Sequence, residues 1–246
     1  MPHSNNELIE DNNTACVLLQ SGCCEAAGHV LQRALGSLKD QLIEGKLPSS
    51  EPSSFCSSSF QSHAKGVEST PDCDRNSVDF DKVSKYIQSV PVVAPLCPRS
   101  ASQTVAPIAM YNRAFILSSD DFEWSQLSQI DYKEWATSII FYNTALILHS
   151  QSSPRKALRF YQLAATLLEQ LTPCDEFNML LLKSAIANNI GHCCVCLSNL
   201  SGAQQAFDAL RELFDNLSDR LVGRDYSLFY LNTVLQVDGL RVAPAA

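Results

Sequence analysis

No run of lysines or arginines occurs anywhere in the 246 residues, and 26 acidic side chains outnumber 18 basic ones for a net charge of -8. Nucleic acids and anionic membrane surfaces recruit clustered positive charge, so neither is an expected partner. Long hydrophobic runs are missing too: no apolar run approaches the roughly 18 residues of a membrane span. The opening residues, "MPHSNNELIEDNN", are polar and acidic where a secretory signal would show a basic start and an apolar core. These absences predict an intracellular protein of the cytoplasm or nucleus that is not secreted. A P-loop, a dinucleotide fingerprint, a nucleophile elbow and a metalloprotease helix are likewise lacking, so neither catalysis nor a cofactor is expected. The acidic pair Asp120-Asp121, beside Ser118, Ser119 and Glu123, reads as a helix start rather than as catalytic carboxylates.

Cysteine is more plentiful, at ten residues, but about 4% of the chain falls short of the roughly 8–10% of disulfide scaffolds. Free thiols are expected. Three of them lie in "GHCCVC", where Cys193 and Cys196 have C-x2-C spacing and His192 stands four residues before Cys196. A zinc site there would need further ligands, for instance Cys23 and Cys24, and Cys193 and Cys194 point about 100° apart on a helix. Buried small residues in a helix pair are the simpler reading, and a thiol- or zinc-dependent protein using residues 192–196 is the alternative. Lone His29, His149 and His192 read as packed core or groove residues.

Proline and serine set the organisation. Seven of the eleven prolines lie between Pro48 and Pro107, and Ser49–Ser62 holds eight serines. Such a segment buries too little apolar surface to offset its ordering entropy. Residues 48–106 are therefore expected to be a mostly disordered linker, clearest from 48 to about 74. It would separate an N-terminal helical hairpin (1–47) from a second helical domain (107–240), with a disordered tail at 241–246. "VPVVAP" (90–95) and "PIAMYNRAFIL" (107–117) are apolar, proline-bounded and rich in β-branched or aromatic residues, which suits two short extended pieces able to pair as a hairpin at a sheet edge.

Helices account for the rest. Asp131 with Glu134 forms a capping box ahead of a stripe of Trp135, Ile139, Tyr142, Leu146 and His149. Ser153-Pro154 and Thr172-Pro173 each supply a cap and a first-turn proline, Ser201 with Gln204 opens a further helix, and Asp225 a last one. Laid over one another, the helix pairs share a frame. Ala15, Ala145 and Gly191 each stand twelve residues before an alanine (Ala27, Ala157, Ala203), which stands four before a large residue (Leu31, Tyr161, Phe207). Small residues let two antiparallel helices approach, and the large one plugs the crevice a turn later.

This spacing resembles the tetratricopeptide repeat, whose second and third alanine sites fall here on Ala27, Ala157 and Ala203 and on Ala34, Ala164 and Leu210. The chain departs from that family in carrying Asp11, Phe141 and Ala187 at the tryptophan position, in lacking the closing proline, and in its 46-residue interval from Ala145 to Gly191. The resemblance implies an all-α fold of antiparallel hairpins stacked as a short array, acting as a non-catalytic module that offers a groove to a protein or peptide partner. Two residues before each small site stands an asparagine: Asn13, Asn143 and Asn189. In the family this position can face the concave surface, where an amide offers a donor and an acceptor to an extended backbone; the alternative is that each asparagine braces its own hairpin. On the first view Asn13, Asn143, Asn189, Tyr142 and His192 line the binding site. Replacing Asn143 and Asn189 by Ala would then weaken a partner and leave stability unchanged. Because Asn12, Tyr142 and Asn188 stand where lysines or arginines would clamp a carboxylate, a neutral or basic, partly apolar peptide is the expected ligand.

Overall fold

A computed structural model of the chain describes residues 5–43, 87–92, 108–117, 129–171, 176–217 and 224–239. The linker apart from residues 87–92, Asp120-Asp121, Thr172-Pro173 and the tail 241–246 lie outside these residues. Among the described residues the chain is mostly helical, with one small sheet. The helices are α1 (Asn5–Gln20), α2 (Cys24–Ile43), α3 (Gln129–Ser150), α4 (Pro154–Gln170), α5 (Glu176–Cys196), α6 (Leu200–Leu217) and α7 (Arg224–Gly239). The strands are β1 (Ile87–Pro91) and β2 (Arg113–Leu117).

Three hairpins, α1/α2, α3/α4 and α5/α6, turn in the same way. Gly22, Ser152 and Ser198 are left-handed, with φ of 76°, 59° and 58°, and each lies seven residues after its small site. The next N–H reaches back five residues in every case: Cys23 to Leu18 (2.8 Å), Ser153 to Leu148 (2.9 Å) and Asn199 to Cys194 (2.8 Å). This closure satisfies carbonyls that a helix end would otherwise leave unpaired. Glycine adopts the left-handed residue without strain, whereas the two serines carry a steric cost.

The shared frame coincides with the tightest packing. Ala15, Ala27, Ala145, Ala157 and Ala203 are fully buried, as are Leu31 and Tyr161, and Phe207 is 1% exposed. At Gly191 an added Cβ would lie 2.5 Å from Phe207 Cζ, so only glycine lets this ring lie against the helix. Beyond each hairpin, α2 packs on α3, α4 on α5 and α6 on α7. Contrary to the expectation that no apolar run approaches a membrane span, residues Phe177–Cys196 of α5 are long and apolar enough to cross a membrane by composition, but 67% of the apolar window is buried inside the fold. A helix enclosed on several sides is apolar all round.

Some expected helix starts shift. α3 already includes Gln129, ahead of Asp131. Pro154 does open α4, yet the Ser153 side chain makes no capping hydrogen bond. Asn199, not Ser201, caps α6: its Oδ1 accepts the Gly202 N–H at 3.0 Å.

β1 and β2 pair antiparallel, with Ile87 opposite Leu117 and Pro91 opposite Arg113. The first strand begins three residues before the expected 90–95 piece. Val92 N–H donates to Asn112 C=O at 3.0 Å, which makes 92/112 a hydrogen-bonded pair and 91/113 a non-bonded one. Pro91 therefore forfeits no ladder bond, and its missing N–H falls on the outer edge of β1. Arg113 ties the strands together, donating from Nε to Ser89 Oγ (3.0 Å) and from Nη2 to Ser89 C=O (2.7 Å).

Candidate binding groove

The inner edge of the extended segment 108–117 meets a row of asparagine side chains. Asn143 Oδ1 accepts the Phe115 N–H at 3.0 Å, and its Nδ2 donates to the Phe115 C=O at 2.9 Å. Asn189 does the same for Tyr111, at 2.8 and 3.0 Å. Asn13 serves Leu117, at 2.9 and 2.6 Å. Three different helices thus place one amide each against one extended chain.

α7 adds a fourth rung. Asn232 accepts the Ala109 N–H at 3.1 Å and donates to its C=O at 2.6 Å. The repeat frame did not reveal it, because the residue two positions on is Val234 rather than Ala or Gly. In an extended chain both backbone groups of a residue point to the same side and alternate residues point to opposite sides. The rungs accordingly hold residues 109, 111, 115 and 117, all odd, while the even residues 112, 114 and 116 face the β1 side. The eight residue steps from 109 to 117 span about 27 Å, or about 9 Å per step between first helices, close to the 8–10 Å of packed helices. Only even steps are allowed, so the spacing is two, four, two. At the centre of the longer step the Tyr142 hydroxyl donates to the Arg113 C=O at 3.0 Å.

Neighbouring asparagines link the rungs to one another. Asn143 Nδ2 donates to Asn12 Oδ1 at 2.8 Å, and Asn12 Nδ2 also reaches the Phe115 C=O at 3.0 Å. Asn232 Nδ2 donates to Asn188 Oδ1 at 2.6 Å. Asn12, Asn143, Asn188 and Asn189 are fully buried. Burial of so many amides is tolerable only because each donor has an acceptor. Aromatic rings pack along the same segment: Tyr111 stacks on Phe229 at 5.1 Å, Phe115 meets Tyr142 edge-on at 5.0 Å, and Tyr142 leans on Tyr161 at 5.6 Å. Burial raises the Tyr142 and Tyr161 phenols well above their ordinary range, so both stay neutral.

Of the five candidate residues, Asn13, Asn143, Asn189 and Tyr142 converge on the segment 108–117. His192 does not join them and pairs instead with His149, Nδ1 to Nε2, at 2.9 Å. His149 Nδ1 lies 3.4 Å from the Tyr161 hydroxyl, which also accepts from Asn189 Nδ2 at 3.0 Å. Burial, helped by the neighbouring His192, lowers His149 to about 3, and burial lowers His192 as well, so both imidazoles are neutral at ordinary pH. The Cys-rich stretch divides by exposure: Cys193 and Cys194 are buried and Cys196 is exposed. Cys23 and Cys24 lie apart from this cluster, lining a shallow cavity with Gly22, His29 and Gln151. The six cysteines among the described residues carry no disulfide.

No protein-family model matches the sequence, and no curated protein or solved structure matches it either.

Proposed function

We propose that this chain is a non-catalytic protein-interaction module, a short tetratricopeptide-like array whose groove holds polypeptide in extended form. Its own residues 108–117 act as the resident ligand that a partner segment replaces. The asparagine ladder carries this reading. Amides that engage the N–H and C=O of alternate residues recognise extended backbone whatever its sequence, while pockets for side chains supply selectivity. The common turn geometry of the three hairpins and their chain-order packing support the array. A partner able to replace the resident segment is an extended, neutral or basic stretch with aromatic and aliphatic residues spaced as Tyr111, Phe115 and Leu117 are. A tethered ligand competes at high effective concentration, so exchange is best read after weakening it.

Phe115→Pro removes the N–H that Asn143 accepts together with the ring packed on Tyr142. A fluorescent peptide with the sequence of residues 107–117 is expected to bind this variant and to bind the unaltered protein far more weakly. Adding Asn143→Ala and Asn189→Ala should abolish the anisotropy change. If the Phe115→Pro variant keeps its helical circular dichroism and the peptide still fails to bind, replacement of the resident segment is excluded.

A further inference from the structure

We propose that His149, His192 and Cys196 form a binding site for one zinc ion. One ligand atom from each lies within 4.8 Å of the others, and Cys196 Sγ is 3.6 Å from His192 Nδ1. Zinc bonds of about 2.0–2.1 Å to nitrogen and 2.3 Å to sulfur place tetrahedral ligand atoms roughly 3.3 to 3.6 Å apart. The 3.6 Å between Cys196 Sγ and His192 Nδ1 meets that already, the 2.9 Å between the imidazoles must open by a few tenths of an ångström, and the widest of the three separations, up to 4.8 Å, must close by about 1 Å, which rotation of the exposed Cys196 side chain supplies.

The backbone holds the ligands in place. His192 and Cys196 are one turn apart on α5 and share a face, while His149 comes from the last turn of α3. The Tyr161 hydroxyl at His149 Nδ1 gives that ring an outer partner which directs Nε2 toward the other ligands, as ligating histidines usually require. Neutral imidazoles bind metal with no net proton loss, because the ring that carries the proton between them shifts it to its other nitrogen; the Cys196 thiol releases its proton to solvent as the thiolate–zinc bond forms. Cys196 is exposed, so the fourth position opens to water. The alternative for the same atoms is a neutral histidine pair sharing one hydrogen bond, with no metal at all.

An ion here would clamp α3 to α5, the two helices that carry Asn143 and Asn189. The Tyr161 hydroxyl contacts both His149 and Asn189, so the clamp would adjoin the ladder directly. The inference does not depend on what the groove binds.

Untagged full-length chain, stripped with chelator, should be titrated with Co2+ as a spectroscopic substitute for Zn2+. One equivalent is expected to bind with thiolate-to-cobalt charge-transfer absorption, and zinc should displace it. Cys196→Ser, at an exposed position, should remove that absorption while circular dichroism stays unchanged. His149→Gln and His192→Gln should each weaken binding by at least about 10-fold, the lower end of what loss of an outer-shell partner alone produces. Charge transfer that survives in Cys196→Ser would assign the ion to other cysteines and overturn the proposal. Absence of charge transfer in the unaltered chain would equally overturn it, leaving the histidine pair as a hydrogen bond.

Discussion

Asn189→Ala is the most informative single change in the ladder. The side chain is fully buried, accepts from the Tyr111 N–H, and donates to the Tyr111 C=O and the Tyr161 hydroxyl. Each lost hydrogen bond costs about 0.5–1.5 kcal/mol net, and each buried group left without a partner about 1–3 kcal/mol. Two stranded backbone groups then put the loss at roughly 2–6 kcal/mol, with water entry into the vacated space favouring the lower figure. For a chain of this size that is a fall in melting temperature on the order of 10 °C. Asn143→Ala should match it, whereas Asn13, half-buried at the end of the row, should cost about 1 kcal/mol or less. Urea unfolding measures the totals, and amide exchange at Tyr111 and Phe115 locates them. A loss under about 0.5 kcal/mol at Asn189, or equal losses at all three sites, would refute the reasoning. This expectation reverses the one drawn from sequence, in which the double alanine variant leaves stability unchanged.

Gly191→Ala should destabilise by about 1–2 kcal/mol although alanine is the better helix former, because the Phe207 ring must move; in a Phe207→Leu background the same change should turn neutral or favourable. Ala157→Leu, at a fully buried contact, should cost about 1–3 kcal/mol by thermal unfolding. Ser152→Gly and Ser198→Gly should each add up to about 1 kcal/mol by relieving left-handed backbone, and Gly22→Ala should lose a similar amount. In metal-free native protein, mass-mapped alkylation should reach Cys23 and Cys196 first, and Cys16 last, since burial closes access to its thiol and pushes it up to about 12.

The helix pairs were legible because small and large residues recur at fixed intervals, and interhelical approach depends on those very residues. The asparagine row was legible for the same reason, standing two residues before each small site. What occupies the row was not. Asn13 and Leu117 are 104 residues apart, and "PIAMYNRAFIL" reads as a strand seeking a strand, whereas half of its backbone is paired by side chains. Asn232 escaped because α7 lacks the small residue that marks the frame. His149 was legible only as one member of a core stripe. That it meets His192 depends on how α3 and α5 are packed, which no local pattern specifies. Ser201 with Gln204 misplaced a cap because Asn199, two residues earlier, opens the helix first by accepting the Gly202 N–H.

The two-four-two spacing of the rungs is a palindrome. Reversing an extended chain exchanges the positions of N–H and C=O at every held residue, and turning each amide by half a rotation restores both bonds. Polarity is thus invisible to the ladder as such. What orients the chain is the unequal company around it: aromatic rings at Tyr111 and Phe115, the Tyr142 hydroxyl at the centre, and the doubled amides beside Ala109 and Phe115. A groove of this kind reads direction from side chains and register from backbone, two separate alphabets written on one strand.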